Sequence, residues 1–175
     1  RRTSNRINKE LDLNFYIMNS HHTVAIGTWE GDKQQSIEYN SSIAVGIDCP
    51  RAKLRVSILL DTIQEYQVRY IFSDEEISEA VNEAGLIIGA RGIAYEGVLQ
   101  RKPVIVVGEY GFGGLVTPDT LHEQYNNYFR GKINGIKAEY FSLERLEEEI
   151  RRGFALTFQE LQMMSNQTIR FLHNI

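Results

Sequence analysis

Gly89, Arg91, Gly92 and Glu96 stand in one short stretch where an apolar run gives way to a helix. A carboxylate about one turn into such a helix can accept two hydrogen bonds from vicinal hydroxyls, the role acids play toward ribose in nucleotide sites. The alternative for Glu96 is a solvated helix glutamate, or one paired with Arg101. Gly89, Arg91 and Gly92 form the turn into the helix. Free N–H groups and the helix dipole favour an anion such as a diphosphate there, and Arg91 adds a charge-assisted contact. The alternative is a tight turn that simply needs glycine. The spacing does not match GxGxxG, so it carries no dinucleotide fingerprint.

Three further groups are candidates. Gly108, Gly111, Gly113 and Gly114 enclose Tyr110 and Phe112 in what reads as a glycine-rich loop. Such a loop lets a ligand approach the backbone while the aromatics stack on a base or sugar; equally, it is a surface loop with aromatics tucked inward. Thr117 and Asp119 are further ligands or, more simply, the cap of the next helix. Arg51, Lys53 and Arg55 follow a strand and can meet phosphate oxygens, or they form a solvated helix face. His21, His22, His122 and His173 are scattered, and no HExxH, P-loop, GxSxG or Cys/His arrangement appears, so no metal is expected.

These residues need elements to place them. Leu86–Ile88 with Ala90 is an apolar run without polar alternation, as in a parallel strand covered on both faces. The next helix ends before Pro103, and Val104–Val107 is a second such strand. Both glycine segments, 89–92 and 108–114, then fall at carboxyl ends of strands, where open α/β sheets bind ligands. Upstream, strand-like composition marks 14–18 and 23–29, with a turn at 30–33, and Ser42–Ile47 is the clearest early strand. Leu54, Ile58, Leu59, Ile63 and Tyr66 predict a helix over 51–66 with Pro50 in its first turn. Val68–Phe72 is a strand, and Ser73 with Glu76 makes a capping box for a helix to Ala84. A helix start is expected at 117–119 and a short strand at 139–141. Two helices follow, one bearing Leu143, Leu146, Ile150 and Phe154, the other Leu161, Met164, Ile169 and Leu172. The alternation predicts a three-layer α/β sandwich with a mainly parallel sheet. Residues 1–41 are expected to be an arm with a β-hairpin extension, and 42–175 the ligand-binding domain.

The 175 residues suit one domain, and 42% apolar with 24% charged residues is ordinary for a globular protein. A net charge of -4 argues against nucleic acid as partner, despite basic clusters at 1–6 and 51–55. The single Cys49 leaves no internal disulfide and points to a reducing compartment. No apolar run reaches a membrane span and no signal peptide heads the chain, so a cytoplasmic place, or one peripheral to the inner face of the membrane, is expected. A chain starting at Arg1 in the polar run RRTSNRINKE is consistent with a trimmed chain or a piece of a longer protein.

The run AGLIIGARGIAYE over 84–96, followed by VLQRKPVIVVG over 98–108, resembles the nucleotide-sugar half of GT-B glycosyltransferases. That pattern is a strand, a small-residue turn, an acid on the following helix, then K-P-V-I and a glycine loop. AVGIDCPRAK over 44–53 is similar to the opening strand of this half, and Ser73–Ile77 to the step before the motif. The likeness covers roughly 42–172; related epimerases and glycerol-phosphate or capsule-polymer transferases share it. The resemblance implies a Rossmann-like single half in which Glu96 holds the ribose of a nucleotide-sugar donor. Arg51 or Lys53 would meet the diphosphate with the backbone at Arg91–Gly92, and Gly111–Thr117 would face sugar and acceptor. The sequence departs from the family in places: Ile88 stands where one branch has a second glutamate, and Arg91–Gly92 where others have Ser or Thr.

The resulting expectation is a domain that binds a nucleotide-diphosphate sugar as substrate, with no separate cofactor, for transfer to a polysaccharide or glycoconjugate. It would work with a missing N-terminal half or a partner domain. The alternatives are a nucleotide-sugar epimerase relative and a non-catalytic ligand-sensing or interaction domain.

Overall fold

The computed structural model describes residues 41–132 and 135–174, together with the backbone of two strands, Val24–Gly27 (β1) and Gln34–Ile37 (β2). These two pair antiparallel, Val24 opposite Ile37. The expected arm at 1–12, the strand at 14–18, the turn at 30–33, and His21 and His22 lie outside the described residues.

Runs of buried branched side chains build three strands of the main sheet, Ser42–Gly46 (β3), Leu86–Gly89 (β5) and Val104–Gly108 (β6), and the part-exposed Gln67–Tyr70 (β4) and glycine-rich Gly111–Leu115 (β7) complete it. The order is β4-β3-β5-β6-β7, parallel except for β7, which returns antiparallel beside β6. Alternation within each strand sends side chains to two cores, because successive Cβ atoms leave opposite faces. Ile43, Val45, Leu86, Ile88, Ile105 and Val107 face one layer; Ala44, Ile87, Val104 and Val106 face the other. The first layer is covered by helices Pro50–Ile63 (α1) and Leu143–Phe154 (α5). The second is covered by Ile77–Glu83 (α2), Gly92–Leu99 (α3), Leu121–Asn126 (α4) and Phe158–His173 (α6). The chain is thus a single α/β domain, a Rossmann-like three-layer sandwich with a mixed, mainly parallel sheet. Among the described residues no helix is long and apolar enough to cross a membrane.

Several local expectations are corrected. The capping box at Ser73 does not form: the Ser73 hydroxyl donates to Glu76 Oε1, and Asp74–Glu76 is a 3₁₀ turn leading into α2. A capping box does open α6, where the Thr157 hydroxyl accepts from the Glu160 N–H and the Glu160 carboxylate accepts from the Thr157 N–H. The stripe chosen for α1 is also displaced. Ala52, Val56, Leu59 and Leu60 are buried, whereas Leu54 and Ile58 are exposed, because the helix carries two apolar stripes and only one meets the sheet. On α6 the buried face runs through Leu161, Met164, Ser165 and Thr168, and Ile169 and Leu172 are exposed. Residues 138–140 form a turn, not a strand, with Arg55 donating twice to the Phe141 carbonyl behind it.

Candidate functional site

β3 leads through α1 outward to β4, and the chain then crosses back to β5 on the other side of β3. The adjacent carboxyl ends of β3 and β5 therefore send their helices, α1 and α3, to opposite faces of the sheet. That divergence is the topological switch point at which open α/β sheets bind ligands. Gly46 and Gly89 pair in register there. A Cβ on Gly89 would lie 2.4 Å from the Gly46 carbonyl oxygen, and one on Gly46 would lie 2.8 Å from Ile93 Cδ1. Two glycines and one isoleucine therefore form the floor between the strands.

Arg91 starts α3 with φ 55° and ψ −125°. This left-handed backbone suits glycine; in a residue with a Cβ it stores roughly 1–3 kcal/mol. Gly92 was the expected turn glycine, but the strained angle falls on Arg91 and a Cβ at Gly92 would touch only Ile77 Cδ1, at 3.8 Å. The Arg91 N–H donates to the Phe129 carbonyl at 3.0 Å. The next three N–H groups, of Gly92, Ile93 and Ala94, have no hydrogen-bond partner among the described residues, as the first turn of a helix requires.

Around this helix start the structure assembles a charged rim. Glu109 Oε1 lies 2.7 Å from an Arg91 terminal nitrogen and 3.0 Å from Arg130 Nε. The Arg91 hydrogen bond, with both guanidinium charges, holds the Glu109 carboxyl below its usual range despite some desolvation. The same hydrogen bond and the charges of Glu109 and Asp48 raise Arg91. Arg130 also donates to the Tyr110 hydroxyl at 3.2 Å and lies beneath the rings of Tyr110 and Tyr128, at 5.8 and 5.5 Å. The segment bearing Arg130 is anchored by Phe129, which is fully buried with φ 50° and packs edge-on against Tyr95 at 4.7 Å. Arg130 and Glu109 escaped the sequence reading. The only signal was a polar pair, Glu109 and Arg130, flanked by tyrosines and glycines, and their proximity comes from tertiary folding.

The other candidates scatter. Glu96 sits one turn, about 6 Å, along α3 from Gly92. It is half-buried, and its Oε1 accepts from Gln100 Nε2 at 2.6 Å. Arg51 is exposed, 3.8 Å from Glu139, whereas Lys53 turns the other way, with Nζ 4.1 Å from the centre of the Phe72 ring. Their side chains thus diverge across α1. Arg55 pins the 138–141 turn.

The glycine-rich loop is a correction. Gly111, Gly113 and Gly114 lie in β7, a mostly buried strand, and only Glu109–Tyr110 remains as a turn. A bulge opposite Val106 and Val107 lets Phe112 and Leu115 both reach the core. The glycines serve close packing. A Cβ at Gly111, whose φ is 117°, would meet the Ile136 carbonyl at 2.5 Å, and one at Gly113 would meet Gln124 at 2.9 Å. Gly114, with φ 77°, faces Glu149, which accepts from the Leu115 N–H at 3.0 Å. Because β7 runs antiparallel, Thr117 emerges at the opposite edge of the sheet from Arg91. Its hydroxyl accepts from the Thr120 N–H in the turn before α4, whose N-cap is Thr120 and not Thr117 or Asp119. His122 stacks edge-on against Phe171, and no group of three or more His, Cys, Asp or Glu residues converges among the described residues.

The structure therefore brings Arg91, Gly92 and Tyr110 to one rim, with Glu96 a turn below, and leaves Arg51, Lys53 and Thr117 apart. No family model matches the chain, and neither a curated protein nor a solved structure matches it.

Proposed function

We propose that this domain binds a nucleoside diphosphate, carried as a nucleotide-sugar, at the switch point between β3 and β5. In this role it is the donor-binding half of a glycosyltransferase acting on a polysaccharide or glycoconjugate. The observation that carries the proposal is the amino end of α3. The N–H groups of Gly92, Ile93 and Ala94 have no hydrogen-bond partner among the described residues, and Arg91, directly before them, combines a strained backbone with an exposed guanidinium. An anion seated there gains the helix dipole, directed backbone donors and a cation together. The same groups would stabilise a nucleotide diphosphate as leaving group. Glu96, half-buried one turn along, is the carboxylate for the ribose diol. Its neutral partner Gln100 leaves its charge uncompensated by any salt bridge among the described residues. Acceptor binding and the catalytic base would come from a second half or a partner domain.

Calorimetric titration with uridine, guanosine and cytidine diphosphates and their sugars tests this. One of them should bind saturably, and Glu96→Ala should weaken it about tenfold, one ribose contact to a charged group being worth roughly 1.5 kcal/mol. Unchanged affinity in that variant removes Glu96 from the site; no binding by any member of the panel removes the proposal. Donor turnover without an acceptor would favour the epimerase alternative.

A further inference from the structure

At the carboxyl rim, one carboxylate oxygen is shared by two guanidinium groups. Glu109 Oε1 contacts Arg91 at 2.7 Å and Arg130 at 3.0 Å. The two contacts are not equivalent. Arg91 makes a true hydrogen bond, whereas Arg130 Nε, although close enough for an ion pair, is buried and makes no hydrogen bond. Distance is satisfied but direction is not, so a buried charged donor sits beside an acceptor it cannot properly reach. Such a donor is costly to leave unmade. Two guanidinium groups thus share one carboxylate, with Asp48 as a further negative charge acting on Arg91, and all three side chains remain solvent-accessible.

Its backbone is also fixed. The Phe129 carbonyl takes the Arg91 N–H, and the Arg130 carbonyl takes the Tyr110 N–H at 2.9 Å. Gly108 has no room for a Cβ, which would fall 2.4 Å from the Arg130 oxygen. Arg91, Tyr128 and Phe129, three of the non-glycine residues with left-handed φ, all belong to this one corner. The backbone thus holds the two arginine positions beside each other, and their side chains meet at Glu109 Oε1.

We infer that Arg91 and Arg130 form a two-arginine clamp for a phosphoanion, and that Glu109 is its displaceable internal counter-ion. When a diphosphate enters, its oxygens take the place of Glu109 Oε1 between the guanidinium groups. A tetrahedral phosphate presents acceptors in directions that one carboxylate oxygen does not, so Arg130 Nε gains the hydrogen bond it lacks. Glu109 swings into solvent, at small cost because exposed ion pairs are weak. Tyr110 and Tyr128, both exposed, flank the clamp and offer ring faces to whatever the phosphates carry. The anion's identity as part of a nucleotide rests on the function proposed above; the clamp itself does not.

The test uses inorganic pyrophosphate and the three nucleoside diphosphates, with Glu109→Gln, Arg130→Ala, the double variant, and Glu148→Gln as a remote control for the change in net charge. Glu109→Gln should tighten pyrophosphate about tenfold, the scale of two released exposed ion pairs. Arg130→Ala should weaken it by a similar factor and cut the gain from Glu109→Gln to the share owed to Arg91, while Glu148→Gln changes nothing. Thermal melts establish folding, and if Arg130→Ala does not fold, Glu109→Gln against Glu148→Gln decides. Affinity unchanged or weakened in Glu109→Gln, or pyrophosphate bound by neither wild type nor Glu109→Gln, overturns the clamp. Nucleotide binding that ignores both variants overturns the clamp and leaves the nucleotide site standing. Pyrophosphate binding that responds as expected, with no nucleotide bound, does the reverse.

Discussion

Arg91 is the residue at which stability and binding pull in opposite directions, and two substitutions separate them. At φ 55° and ψ −125° an arginine, like an alanine, stores roughly 1–3 kcal/mol that a glycine does not. Glycine instead loses roughly 0.5–1 kcal/mol to the greater freedom of its unfolded chain. Both Arg91→Ala and Arg91→Gly delete the same ion pair with Glu109, so that term cancels between them. Arg91→Gly should therefore exceed Arg91→Ala in stability by about 0.5–2 kcal/mol, or a few degrees in Tm for a chain this long. Urea unfolding followed by circular dichroism measures the difference directly. Both variants should lose anion affinity alike, since neither carries the guanidinium. If Arg91→Ala proves as stable as Arg91→Gly, the strain is not there, and a main reason for regarding this turn as built for binding goes with it.

Three other perturbations follow from the geometry. Gly89→Ala forces a Cβ to 2.4 Å from the Gly46 oxygen and should cost about 3 kcal/mol; Gly92→Ala, with 3.8 Å of room, should be neutral or slightly stabilising, and equal denaturation midpoints would refute the pair. Glu149, buried with the Leu115 N–H at 3.0 Å and Arg145 at 3.0 Å, ties α5 to β7, so Glu149→Ala should lose about 2–4 kcal/mol in urea; a loss below about 0.5 kcal/mol, the range of an ordinary surface change, would contradict that role. Burial lowers the Lys102 ammonium from 10.5 to about 8. The unfolded chain then holds the extra proton between those values, so wild-type stability should rise relative to Lys102→Met as pH climbs from about 8 toward 10.5. A gap between the two proteins that stays constant across that window would refute it. The comparison is made against the variant because burial raises the phenols of Tyr66, Tyr70 and Tyr95, which act with the opposite sign above pH 10.0.

The parallel strands were legible because both of their faces are covered, which leaves uninterrupted branched runs such as Leu86–Ile88 and Val104–Val107. Their carboxyl ends are legible for the same reason, since the runs stop at Gly89 and Gly108, whereas the switch point between β3 and β5 comes from the strand order. What escaped depends on contacts remote in sequence. Gly111–Leu115 has the composition of a loop and becomes a strand only because β6, Ile136 and Gln124 pack closely against it. Once that strand is known to run antiparallel, Thr117 must leave the rim, and no local pattern indicates the direction. Helix faces were misassigned where a second apolar stripe competed, as with Leu54 and Ile58. Arg130 was invisible because its position is set by the left-handed backbone at Tyr128 and Phe129 and by the aromatic contacts of Phe129.

The central claim is that an anionic nucleotide rests on the amino end of α3. Amide chemical-shift mapping of the ¹⁵N-labelled protein during titration with nucleoside diphosphates and their sugars addresses it atom by atom. Saturable shifts should concentrate at Gly92, Ile93 and Ala94, with the side-chain signals of Arg91 following the same isotherm. Shifts confined elsewhere, such as the outer face of α6 around Gln162 and Asn166, or none with any nucleotide, would contradict it.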